Sequence, residues 1–206
     1  MTPNGILSLI WETILNPASA ARTILSFRVS RENLWLAVLL ATVLSGLVGG
    51  LSQMVVPSTP MIIETVEGPV ALNLTPSSPM MQGLFVGASL VMMVFALYFA
   101  GRALGGQGTF PGSLALMAWL QVVMVAMQIA TLVLIFVAPV VAALLVFVSL
   151  VVFVRSMVVF VNELHGFQSI GRAIVTVLLA FLGVVVGFTI ILLFIGVGPS
   201  GVAVNV

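Results

Sequence analysis

The chemistry open to this chain of 206 residues rests on few side chains: six Arg, five Glu and one His, with no Lys, Asp or Cys. Arg155 is the most unusual of them, because the fourteen residues before it carry no charge and only one hydroxyl. A guanidinium at the centre of a membrane span costs roughly 3 kcal/mol on insertion scales. The cost falls towards the interface, where the stem can snorkel. Arg155 is therefore an anchor or ion pair, or part of a binding or transport site. Asn162 shares its helical face seven residues on, Glu163 lies further round and nearer water, and Glu12 is another available partner. Gln121 and Gln128 are also seven apart and share a face. Buried amides serve either as glue between helices or as the lining of a polar path. No Glu falls in mid-span, which argues against a proton-coupled carrier.

His165 is the one His, beside Glu163 and Gly166. A lone imidazole without clustered ligands makes a poor metal site. Neither Ser156 nor Ser169 sits in a nucleophile setting. No catalytic residue, metal or cofactor is expected. The glycine-rich stretch from Gly105 to Gly112 lacks the Lys and preceding strand of a phosphate-cradling loop. It reads as a tight turn.

These residues must be positioned by elements of unusual composition. Hydrophobic residues make up 62 % of the chain and charged residues 5 %, against about 25 % charged in a soluble domain. That excludes a soluble monomer and a disordered chain. A net charge of +1 without Lys excludes a nucleic-acid groove. Five stretches are long and apolar enough to cross a bilayer: 34–56, 80–104, 113–137, 139–164 and 173–196. Pro139 is expected to turn the chain between the third and fourth. A β-barrel is excluded, because 140–154 is apolar on every face rather than alternating. The fold class is all-α: a polytopic membrane protein of five spans with an N-terminal interfacial helix.

All six Arg fall on one side of five such spans. The positive side faces the cytoplasm, which puts segment 1–33 inside and loop 57–79 and tail 197–206 outside. The first 33 residues show no cleavable signal pattern, so the first span is expected to be retained as anchor and insertion signal. Ile6, Leu7, Ile10, Trp11 and Ile14 share one helical face opposite Asn4, Ser8 and Glu12, as in a helix lying in the membrane surface. Asn16 and Pro17 end it and start a second short helix. Trp11, Ile14, Arg22, Arg28 and Arg31 then form a candidate face for lipid or a partner. The outer loop holds two apolar stretches around Glu67, Gly68 and Pro69, compatible with a short hairpin. Asn73, Leu74 and Thr75 match the glycosylation pattern. Small residues recur every four positions at Ala37, Ala41, Ser45 and Gly49, at Gly83 and Gly87, and at Gly183 and Gly187. Such ridges serve internal packing or an oligomer seam.

Three motifs together resemble the Ypt-interacting-protein (YIP) domain family. They are Trp11 followed by Asn16 and Pro17, the run Gly105, Gly106, Gln107, Gly108, Thr109 and Phe110, and the stretch from Leu164 to Ala173 around His165 and Gly166. The resemblance implies five spans with a cytoplasmic N-terminus. Its eukaryotic members are linked to prenylated GTPases and vesicle traffic, and its bacterial members look like inner-membrane proteins. A composition rich in Val, Ala, Leu and Gly without Lys suits a GC-rich bacterium, and with the resemblance the expected location is a bacterial inner membrane. The leading expectation is a non-enzymatic accessory or scaffold subunit in the lipid bilayer, associated with another membrane protein or with itself. The alternative is a channel or carrier for a small neutral or anionic solute using Arg155, Asn162, Gln121 and Gln128.

Overall fold

The computed structural model describes residues 3–27, 29–56, 61–65, 68–72 and 78–194. Two short helices open the chain, α1 (Pro3–Leu15) and α2 (Pro17–Ser26). Asn16 separates them, and its side-chain oxygen accepts from the Ser19 N–H. That bond satisfies one orphan donor at the start of α2, where Pro17 has no N–H to leave unpaired.

Five long helices follow: α3 (Arg31–Val55), α4 (Pro79–Ala103), α5 (Phe110–Val137), α6 (Pro139–His165) and α7 (Ile170–Phe194). All five are long and apolar enough to span a membrane. Several begin earlier than hydropathy suggests, because a capping residue and a polar first turn precede the apolar run. Ser30 caps α3, Ser78 caps α4 and Thr109 caps α5, each accepting a backbone N–H three residues on. Glu32 adds a favourable negative charge in the first turn of α3. Ala138 alone joins α5 to α6. Pro139 has no N–H to continue the first ladder and fits the first turn of the next helix. The two helices fold back against each other.

Between α3 and α4, β1 (Met61–Thr65) pairs antiparallel with β2 (Gly68–Leu72), Met61 opposite Leu72 and Thr65 opposite Gly68. Gly68 and Pro69 belong to the second strand rather than to the turn. Glu67, the Asn73 glycosylation pattern, Arg28 and the end of the fifth span beyond Phe194 lie outside the described residues.

The long helices form a ring in the order α3, α4, α7, α6, α5, with α5 closing on α3. Helices α1 and α2 make a collar against α5 and α6 at one end. The core is uneven along the ring. Its large buried cluster includes Leu34 and Val38 of α3, Leu97 of α4, Leu114, Leu116 and Leu120 of α5, Met157, Phe160 and Val161 of α6, and Ala173, Val177 and Ala180 of α7. These come from the collar-end halves of the helices. The small-residue ridges of α3 and α4 meet each other: a methyl built on Gly83 would lie 3.7 Å from Gly46 Cα, and one on Gly87 would lie 2.8 Å from the Thr42 side chain. Ala41, Ser45 and Gly49 are buried on the same helix. The ridges thus draw the backbones of α3 and α4 together.

Candidate functional site

At the collar, three side-chain ties hold α1 and α2 to the ring. The Arg155 guanidinium donates to the Ile14 carbonyl at 2.8 Å and the Leu15 carbonyl at 3.1 Å. These carbonyls end α1, where the last turn leaves acceptors unsatisfied and the helix dipole is negative. Trp119 Nε1 donates to Thr13 Oγ1 at 2.9 Å, and Thr13 in turn donates to the Leu9 carbonyl. Arg22 Nη1 pairs with Glu163 Oε1 at 3.2 Å.

This corrects the partners expected for Arg155. Neither Asn162, Glu163 nor Glu12 binds it. Backbone carbonyls do, because the end of a docked helix offers acceptors without burying a second charge. Asn162 Oδ1 is buried without a hydrogen-bond partner among the described residues. On α1 the apolar face stays open at Leu7 and Trp11, and a neighbouring edge turns inward. Leu9 and Thr13 are buried, Ile10 and Ile14 half-buried, and Leu7, Trp11 and Leu15 exposed. Thr13 faces inward because Trp119 supplies its hydrogen-bond partner. Arg31 lies over the Phe110 ring at 5.6 Å, where Trp35, Phe95 and Tyr98 also converge.

A second cluster joins the glycine-rich turn to the end of α6. His165 is 2 % exposed. Its Nδ1 accepts from the Gly108 N–H at 3.2 Å, and its carbonyl accepts from the Gln107 N–H at 3.1 Å. The ring stacks on Phe167. A methyl on Gly101, Gly106 or Gly108 would overlap the imidazole. Gly166 ends α6 in the left-handed conformation at φ 62°, the usual role of glycine at that position. Hydropathy and ligand spacing did not reveal this contact. Its one signal was three nearby glycines together with a single His that no other function explained.

The third region is a cavity of about 1070 Å³ inside the ring, in the half away from the collar. Gln121 and Gln128 both line it, as do Gln53, Gln82, Ser149 and Phe153. Gln121 Nε2 donates to Ser45 Oγ at 2.6 Å and ties α5 to α3. Arg155 and Asn162 do not line this cavity. The four intramembrane polar residues singled out from sequence thus divide in two: Arg155 and Asn162 belong to the collar side, Gln121 and Gln128 to the cavity.

The helical ring, its apolar outer surface and its collar define a polytopic integral membrane protein. Residues 11–192 match the family model of the Yip1 domain, and the chain belongs to that family. The match takes in all three motifs, and two of them meet in space: the glycine-rich turn cradles His165. Neither the comparison with curated proteins nor that with solved structures gives a match.

Proposed function

We propose that this Yip1 domain protein is a non-enzymatic accessory or scaffold subunit, which associates with another membrane protein or organises the bilayer around it. The observation that carries this reading is the collar. Two side-chain ties hold α1 to the ring and a third holds α2, yet Leu7, Trp11 and Leu15 stay exposed on the far side of α1. A helix held so firmly with an apolar edge outward suits a role at the lipid–water boundary beside a partner. The proposed setting is a bacterial inner membrane, with the collar and N-terminus in the cytoplasm. Arg22, Arg31, Arg102, Arg155 and Arg172 all stand towards the collar half, which supports that orientation.

The test is co-purification from native membranes in a mild detergent. A stoichiometric membrane partner that Trp11→Ala together with Leu15→Ala releases is the expected result. Recovery of the intact chain alone would sink the reading.

The cavity favours a second reading, a carrier for a small solute. Since Arg155 lies elsewhere, that solute would be neutral rather than anionic. Arg155→Leu therefore does not separate the two readings, and Gln128→Leu does: it should lower flux in a carrier and leave partner binding unchanged.

A further inference from the structure

The packing of the ring is lopsided, and the loose half is not inert. The cavity of about 1070 Å³ matches the upper end of the range for ligand pockets, about 300–1,000 Å³. A void of that size forfeits dispersion contacts along its whole wall. The cavity is open to its surroundings, and the chemistry of its wall selects what can fill it. No Arg, Glu or His lines it, so an ionic head would be buried without a counter-charge.

The wall is mainly Leu, Val, Met and Phe, but nine lining residues carry hydroxyls or amides. Most of the hydroxyls already donate to their own helix: Ser89 to the Phe85 carbonyl, Thr131 to Met127, Ser149 to Leu145 and Thr189 to Val185. They face the cavity as acceptors only. Gln121 has given one N–H to Ser45 and keeps its carbonyl and a second N–H. Gln128 differs, since its amide bonds to none of the described residues. It sits about 7 Å from the midpoint of the 28-residue helix α5, well inside a hydrocarbon half-thickness of about 15 Å. An amide at that depth needs a partner, because lipid tails supply none. Acceptor oxygens around the Gln128 amide fit a hydroxyl-bearing, uncharged head, and the aliphatic and aromatic wall fits its chain.

We propose that this cavity is a binding site for a neutral lipid, a long-chain amphiphile whose hydroxyl-bearing head hydrogen-bonds to Gln128. The site goes beyond the accessory-subunit reading, and losing a protein partner would leave it intact.

The test uses the full chain in phosphatidylcholine nanodiscs doped with diacylglycerol that carries a photoactivatable acyl chain. The expected result is saturable labelling on cavity walls such as Met124, Met127 and Phe153. Excess unlabelled diacylglycerol competes it away, and equal phosphatidylglycerol does not. Gln128→Leu should weaken apparent affinity about three- to tenfold, the worth of one hydrogen bond. Ser149→Phe should abolish labelling by filling the space. Non-saturable labelling spread over outward residues such as Leu36 and Leu40 would overturn the proposal. So would equal competition by phosphatidylglycerol, which would show that the cavity does not discriminate against charge. The competition arms need only the unaltered chain, so the test stands even where a variant fails to fold.

Discussion

His165 shows how one side chain can decide where glycine is required. The ring occupies the space that a side chain at Gly101 would need, and Gly101 lies in the last turn of α4. Gly101→Ala should therefore lower stability by about 1–3 kcal/mol through overpacking. Alanine is otherwise the better helix former by about 1 kcal/mol. In a His165→Ala background the clash is gone, so the same change should be neutral or stabilising. Thermal unfolding of the four variants in detergent measures this reversal, and additive losses would refute the contact. Gly171→Ala is the control, since a methyl there meets only Ser169 Oγ at 3.8 Å. Gly105 belongs to a different case: its space is open, but its φ of 83° strains any side chain. The anomaly of Arg155 was legible from residue type alone. Its partners were not, because a backbone carbonyl has no signature in sequence and becomes an acceptor only where a helix ends.

At the scale of elements, the collar depends on side chains borrowed from two long helices. Arg155 from α6 and Trp119 from α5 both reach the second half of α1. Arg155→Leu should loosen α1 and α2 while the ring stays folded. Hydrogen exchange over residues 3–26 is expected to speed up about tenfold or more, as the loss of a charge-assisted bond pair of about 1.5–3 kcal/mol implies. Arg155→Lys should recover part of the protection, because an ammonium cannot span two carbonyls as the planar guanidinium does. Unchanged exchange in both variants would show that the collar is held by apolar packing alone. The Arg22–Glu163 pair is a smaller matter: Arg22 is 62 % exposed at its side chain, and such pairs contribute at most about 1 kcal/mol. The helices themselves were readable from hydropathy, and their starts from Ser30, Ser78, Thr109 and the prolines. The rotation of α1 was not. Periodicity marks Trp11 and Leu7 as apolar, but only the hydrogen bond between Trp119 and Thr13 says which edge turns inward.

For the whole molecule, five spans and a one-sided arginine distribution make a prediction that the absence of Cys renders clean. A membrane-impermeant maleimide applied to intact spheroplasts should label Ile62→Cys in the hairpin. It should label Gln107→Cys in the glycine-rich turn only after permeabilisation. The opposite pattern would invert the proposed orientation. Composition by itself determined that this chain lives in a bilayer, because a chain with 5 % charged residues cannot cover a water-facing surface. Span length and helix caps determined the number of crossings, since a bilayer fixes how many apolar residues each needs. Both are local properties, and sequence carries them directly. Tertiary structure alone decided the order of helices in the ring, the pinning of the collar and the division of polar residues between two regions. Gln121, Gln128, Arg155 and Asn162 all read alike as polar groups within apolar runs. Which of them meet depends on how helices far apart in sequence rotate and cross, and in lipid an apolar surface looks equally comfortable facing out or in. The close packing of α3 on α4 at Gly46 and Gly83, and the ring closed by α5 on α3, resolve that ambiguity. They leave a filled core at one end and a cavity at the other.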